Sequence, residues 1–270
     1  MVCSIVVSGV TVRFESSVVL DGVIFSVNRG EVLGVLGPNG SGKTTLLRSI
    51  ARAINPTSGE ILVFGRPAWD YTEEEYSKVV SAMLPNWPGG FSMKTYEIVL
   101  MGCRNRSRNF WWEEEEELEV AKEALQLLGA LDLFERDFDT LSSGEQRKVL
   151  IAKSLAQRTN IILLDEPVAY LDIKHKLEVM NVLRTLAELG KTVVVSLHEL
   201  ELASGYCDKL LVLNRGKIVA AGEPRSVISE DLLREVYGVE AEVKWDGDHN
   251  YPLIIPKTKK IPKEEILCLR

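Results

Sequence analysis

The 270-residue chain is 46% hydrophobic and 26% charged, with a formal net charge of −7. That length and balance suit one large domain or two closely packed subdomains that need no disulfides, and they exclude a disordered or low-complexity protein. The acidic total argues against a broad nucleic-acid or anionic-membrane surface, so any phosphate binding should be local.

Residues 1–9 are apolar but lack a basic flank and a small-residue cleavage pattern, and Arg13 and Glu15 interrupt any longer run. They read as an edge strand of a cytoplasmic protein. Elsewhere no window approaches the ~20 apolar residues of a transmembrane helix. In a membrane process, other chains must therefore supply the spanning part. Cys3, Cys103, Cys207 and Cys268 are scattered, and His175, His198 and His249 lack metal-like spacing. A structural zinc site is disfavoured and the thiols read as reduced.

Short β-branched runs in residues 5–31, broken at Asp21-Gly22 and 28–30, predict an antiparallel, strand-rich opening. Residues 32–36 form an apolar strand stopped by a glycine-rich loop, and 43–53 have helical spacing through Leu46, Leu47 and Ile50. Further strands are predicted at 60–64, 79–84, 161–164, 192–196, 209–214 and 217–220. Between the second and third of these lies a helical stretch, about 93–141, with helices at 94–102, 113–128 and 131–134. It reads as a helical subdomain inserted in an α/β core. The acidic run 113–117 reads as a solvated face at a helix N-terminus. Residues 246–270 look irregular, since Pro252, Pro256 and Pro262 prevent a long helix.

The chemistry concentrates in two places. Gly37, Pro38, Asn39, Gly40, Ser41, Gly42, Lys43 and Thr44 fit the phosphate-loop pattern GxxxxGK[ST], directly after an apolar strand and opening a helix. Glycines let successive backbone N–H groups converge on phosphate oxygens, and the helix N-terminus adds partial positive charge. Lys43 then reaches the β- and γ-phosphates, the Thr44 hydroxyl ligates Mg²⁺, and Thr45 extends the nucleotide contact. The reading is ATP or GTP binding. In the second place, the strand 161–164 delivers Asp165 and Glu166 to a sheet edge. There Asp165 can hold Mg²⁺ through its waters and Glu166 can polarise an attacking water.

Leu141-Ser142-Ser143-Gly144-Glu145 resembles the LSGGQ signature of ABC ATPases. The same residues also satisfy a plain helix cap, with Glu145 three positions after Ser142, and both readings can hold at once. The resemblance implies a RecA-like phosphate-loop NTPase core with an N-terminal antiparallel β-subdomain and an inserted α-helical subdomain at about 90–145. It places the ATPase domain at 1–240 and a C-terminal extension at 241–270. It further implies that Ser142, Ser143, Gly144 and Glu145 close on the γ-phosphate held by a second copy, Ser142 through its hydroxyl and Gly144 through its N–H. Phe14 would stack on adenine, although a strand Phe is by default a core residue. Tyr170-Leu171-Asp172 resembles the D-loop crossing the dimer interface, and His198 resembles the switch histidine that contacts the γ-phosphate.

Two positions depart from the family pattern. Asn86 stands where a Gln normally touches Mg²⁺ or the attacking water, and is shorter by about 1.5 Å, so direct contact needs loop adjustment or a bridging water. Ser143 replaces the first signature glycine. It is tolerable in a helix-start conformation but crowds the γ-phosphate if close approach is required.

The segments 94–102 and 198–238 resemble the ATPases of iron-siderophore, haem and vitamin B12 importers. This resemblance implies Mg·ATP at a homodimer interface and two transmembrane permease subunits. It also implies an external substrate-binding protein and a location on the cytoplasmic face of the membrane, with no nucleic-acid partner. Trp87 and Phe91 would line the groove for a permease helix. Molybdate, tungstate, zinc and manganese carriers have similar ATPases, so the cargo stays open. Two alternatives remain: a non-transport ABC ATPase such as an iron–sulfur assembly scaffold, and a low-turnover nucleotide sensor.

Overall fold

Strand β1 (Cys3–Phe14) turns Ile5, Val7, Val10 and Val12 inward. A register irregularity between Val7 and Val10 shifts the alternation by one residue and keeps the apolar side on one face. Its antiparallel partner β2 (Ser17–Asn28) runs unbroken through Asp21-Gly22, where a turn is predicted. Gly22 takes a positive φ of 63° at an irregularity of the ladder, and its N–H donates to Thr11 Oγ1 at 3.1 Å. The computed structural model describes residues 3–15, 17–84, 93–103, 114–245, 247 and 251–257.

The chain then forms β3 (Val32–Leu36), α1 (Lys43–Ile50), β4 (Ser58–Val63) and the short β5 (Arg66–Pro67). Strands β2, β1, β4 and β5 make a four-stranded antiparallel sheet in that order. The N-terminal segment is therefore not an edge strand: β1 pairs on both sides, with β2 and with β4. Its backbone N–H and C=O groups are shared between two ladders, where an edge strand would leave one row unpaired.

The chain continues with α2 (Glu73–Val79), β6 (Val80–Met83), α3 (Thr95–Cys103), α4 (Glu114–Leu127) and α5 (Ser143–Ala156). Helix α2 is absent from the sequence-based expectation although Thr72 and Glu75 form a capping box at its start. Helices α3, α4 and α5 pack on one another. The contact between α3 and α5 is close: a Cβ at Gly102 would lie 2.1 Å from the Lys153 carbonyl oxygen. Glu115 and Glu116 in the acidic run are exposed.

The remainder comprises β7 (Ile161–Asp165), α6 (Ile173–Glu188), β8 (Thr192–Ser196), α7 (Leu200–Tyr206), β9 (Lys209–Asn214) and β10 (Lys217–Gly222). It continues through α8 (Pro224–Val227), α9 (Glu230–Tyr237), β11 (Ala241–Trp245) and β12 (Pro252–Pro256). The main sheet has the order β10-β9-β3-β8-β7-β6, parallel except for β10. Both its faces are covered. On β3, Val32 and Leu36 face one core with α3–α6, while Leu33 and Val35 face the other with α1 and the antiparallel sheet. The same split separates Ile162 and Leu164 from Ile161 and Leu163 on β7. Such two-sided burial explains why these strands read as unbroken apolar runs. Each fully buried Val, Leu or Ile contributes about 1.5–3 kcal/mol against unfolding.

The C-terminal segment differs from the irregular tail predicted. β12 pairs antiparallel with β11 from Ala241↔Pro256 to Trp245↔Pro252. The prolines stand at the two ends of the strand, where a missing N–H is tolerated. No helix among the described residues is long and apolar enough to cross a membrane.

Candidate active site

The parallel strands end on one edge, and the chemistry-bearing residues gather there. β3 ends at Leu36 and runs into the phosphate loop. Gly37 has a φ of 142°, and a Cβ there would lie 2.1 Å from the Leu213 carbonyl oxygen, so no other residue fits. Gly42 is the N-cap of α1 with a φ of 110° and no side-chain cap. The first N–H groups of α1 therefore have no capping side chain and suit a phosphate. Asn39 and Gly40 are exposed, Pro38, Thr44 and Thr45 half-buried, and Ser41 buried with a hydroxyl lacking a protein partner.

Lys43 is buried and donates to the carbonyls of Gly37 at 2.7 Å and Pro38 at 3.2 Å. Burial lowers its pKa from the ordinary lysine value, and the Glu166 and Asp165 carboxylates oppose that shift. A phosphate is a stronger acceptor for an ammonium than either carbonyl.

Asp165 and Ser196 are register partners at the ends of β7 and β8. Ser196 Oγ donates to Asp165 Oδ1 at 2.5 Å and accepts from the Glu166 N–H at 2.9 Å. One buried hydroxyl thus fixes both acidic residues. Glu166 has a positive φ of 52°, an uncommon backbone conformation for a side chain of this kind. Its carboxylate Oε1 lies 2.6 Å from His198 Nε2. Asp165 Oδ2 is buried without a hydrogen-bond partner. A buried carboxylate oxygen without a partner is a hard oxygen donor of the kind a magnesium ion takes. Ser196 escapes sequence reasoning because the strand 192–196 looks like pure core; its sole signal is a hydroxyl ending a Val run.

Phe14 is 48% exposed and so is not a core residue. It pairs with Ser17 across the hairpin, and Val19 and Leu20, just beyond, press on Gly42. An exposed ring thus stands on the segment that flanks the phosphate loop. Asn86, Trp87 and Phe91 lie outside the described residues.

The signature residues form a capping box: Ser142 Oγ accepts from the Glu145 N–H, and Glu145 Oε2 accepts from the Ser142 N–H at 2.8 Å. These bonds, that from the Ser142 backbone foremost, hold the Glu145 carboxyl below the usual range. Ser143 is the first helical residue and exposed, so its side chain is accommodated. A Cβ on Gly144 would meet the Tyr170 carbonyl and Leu171 at 3.2 Å, which puts the signature against the turn before Asp172. Asp172 caps α6 by accepting from the His175 N–H at 2.9 Å. Tyr170 and Ile173 beside it are 79% and 77% exposed. The site therefore divides in two. The phosphate loop, the acid pair and His198 form one group; the signature and the Tyr170–Asp172 turn form another.

A phosphate loop beneath a parallel sheet whose neighbouring strands supply an acid pair and a histidine defines a phosphate-loop NTPase. The ABC transporter family profile matches residues 20–169. The haem import ATP-binding protein HmuV of Gloeobacter violaceus is 36% identical over 256 residues, 92% of each chain. The petrobactin import ATP-binding protein FpuD of Bacillus anthracis is 34% identical over 96% of each chain. Among solved structures, an ATP-binding cassette captured as a post-hydrolysis dimer with ADP and Pi superposes with a TM-score of 0.76 at 27% identity. That match covers 82% of this chain and 99% of the other. The chain belongs to the ATP-binding subunits of the ABC transporter family and is an ATPase.

Proposed function

We propose that the chain is the ATP-hydrolysing subunit of a binding-protein-dependent importer whose cargo is a metal chelate: a siderophore complex, haem or cobalamin. The observation that carries this reading is full-length similarity to haem and petrobactin import ATPases, joined to an acid pair held ready beside the phosphate loop. Residues 1–240 form the ATPase domain, with the helical part at about 90–145, and 241–270 are an extension.

In this account Phe14 stacks on adenine and residues 37–45 bind the phosphates. Lys43 exchanges the Gly37 and Pro38 carbonyls for phosphate oxygens. Thr44 and Asp165 would hold the magnesium ion, with Asn86 as a further contributor; when bound, the ion would supply neutralisation of phosphate charge. Glu166 orients and polarises the attacking water, and His198 moves from Glu166 to the γ-phosphate. Ser142 and Gly144, with neighbouring Ser143 and Glu145, complete the site of a second copy, and Asp172 sits at the crossing. The division of the site into two groups supports this reading, because each group is half of a composite site. The exposed Tyr170 and Ile173 suit burial in such a dimer. Two permease subunits receive the motion on the cytoplasmic face of the membrane, and an external binding protein delivers the cargo.

Reconstitution with its membrane subunits in proteoliposomes tests this. Loaded binding protein should stimulate ATP turnover, and cargo should accumulate only with ATP on the side of this subunit. Turnover indifferent to membrane subunits and binding protein would point to a soluble scaffold.

A further inference from the structure

The peptide bond between Asp165 and Glu166 joins the two acidic residues of the site, and its two polar atoms are held by different elements. The N–H donates to Ser196 Oγ on β8. The carbonyl accepts from Arg147 Nη1, 3.4 Å away, on the helix α5 that opens at the signature. Among the described residues no peptide is cis, so the two atoms point to opposite sides of one planar unit and the two bonds together fix its tilt. The tilt bears on Glu166, whose φ of 52° is costly for a glutamate. That torsion leaves the plane of this peptide. A peptide free to turn would relax it and carry the Glu166 carboxylate off His198.

Arg147 is half-buried and makes a second contact on the same segment. Its guanidinium lies 5.8 Å from the centre of the Tyr170 ring, within reach of a cation–π attraction. Tyr170 follows Glu166 by four residues, through turns closed by Ala169 N–H to the Glu166 carbonyl at 3.2 Å and Leu171 N–H to the Val168 carbonyl at 3.3 Å. It too has a positive φ, of 65°. One side chain of α5 therefore grips the segment 165–170 at both ends. A planar, permanently charged guanidinium with several N–H donors can serve a carbonyl and a ring face together, where a lysine ammonium is a single point of contact.

We propose that Arg147 is a positioning residue for Glu166: by holding the Asp165 carbonyl it fixes the peptide from which the Glu166 carboxylate is aimed, and it ties the acid pair to the helix that carries the signature. The proposal rests on Glu166 acting as the base that polarises the attacking water. Arg147 itself takes no part in the chemistry, so its loss acts on turnover through the aim of Glu166 and leaves the phosphate loop as it is.

Arg147→Met keeps the length of the side chain and removes its donors. In the full chain, kcat for Mg·ATP hydrolysis should fall roughly threefold to tenfold, the worth of one long hydrogen bond. Affinity for Mg·ATP by titration calorimetry and the melting temperature should match the wild type. Arg147→Lys, which keeps one charged donor, should recover part of the loss. Ser196→Ala frees the other side of the same peptide, so the double variant should lose less than the product of the two single losses. Wild-type kcat in Arg147→Met would overturn the proposal. So would a loss of kcat matched by a loss of ATP affinity or of melting temperature, which marks a side chain that serves the fold alone. Losses that simply multiply in the double variant would overturn it as well, since the two residues would then act on separate things. Glu166→Gln assayed alongside keeps the two claims apart: turnover at the wild-type rate there removes the base on which the proposal rests, whereas an inactive Glu166→Gln beside a fully active Arg147→Met removes the positioning role alone.

Discussion

His198 Nε2 and Glu166 Oε1 stand 2.6 Å apart, joining the residues that follow two adjacent strands of the main sheet. The contact holds the Glu166 carboxylate at the strand edge while its backbone keeps a positive φ. A carboxylate so oriented needs little rearrangement to meet a water. Glu166→Gln should therefore keep ATP affinity and lower kcat about 10²–10⁴-fold, the range for a lost general base. Steady-state hydrolysis at the wild-type rate would remove Glu166 from that role. His198→Ala should lower kcat about 10²–10³-fold, as expected for a lost donor to developing charge.

Ser196 holds Asp165 and the Glu166 backbone with a single buried hydroxyl. Ser196→Ala leaves a carboxylate oxygen and an N–H unpartnered at the site edge. Turnover should fall roughly tenfold to a hundredfold, corresponding to about 1.5–3 kcal/mol for hydrogen bonds to a charged group. Ser196→Thr, which restores the hydroxyl, should recover part of the loss. Full activity in the alanine variant would show that the acid pair needs no such support.

Gly102 permits the close approach of α3 to α5. A methyl group there meets backbone, not a movable side chain, and the helices must part. Gly102→Ala should destabilise the fold by about 1–3 kcal/mol, lowering Tm by about 2–4 °C for each kcal/mol. An unchanged melting curve would mean that the two helices are not held at this separation.

Glu75, Glu145 and Asp172 all have carboxyls held below their ordinary values of 4.5, 4.5 and 3.8, in each case mainly by a backbone N–H at a helix start. Depressed folded-state values contribute stability above the unfolded pKa and lose it as pH falls through the folded pKa. Acid unfolding should therefore steepen below about pH 4.5. The triple variant Glu75→Gln, Glu145→Gln, Asp172→Asn keeps amide caps and should flatten that limb. Identical acid curves would place the titration elsewhere.

What could be read in advance was local in sequence. The phosphate loop and Asp165-Glu166 are contiguous stretches with their chemistry in order, and the apolar runs of β3, β7, β8 and β9 reflect burial on both sheet faces. Contacts across sequence were not legible. Ser196 meets Asp165 only because β7 and β8 pair in register. Residues 252–256 become a strand because 241–245 offer a ladder, which no propensity at Pro252 and Pro256 could indicate. The inward place of β1 depends likewise on β4, more than forty residues on. For Ser143 the decisive fact was helix position, which places its side chain in solvent.

The central claim is that two copies share two nucleotides between the phosphate loop of one and the signature of the other. Glu166→Gln, unable to turn over, measures it most directly by sedimentation velocity with Mg·ATP. The account predicts a stable dimer retaining two ATP per pair, and a return to monomers when Ser142→Arg is added to block the signature. A protein that stays monomeric at saturating ATP, or dimerises equally without nucleotide, would contradict it.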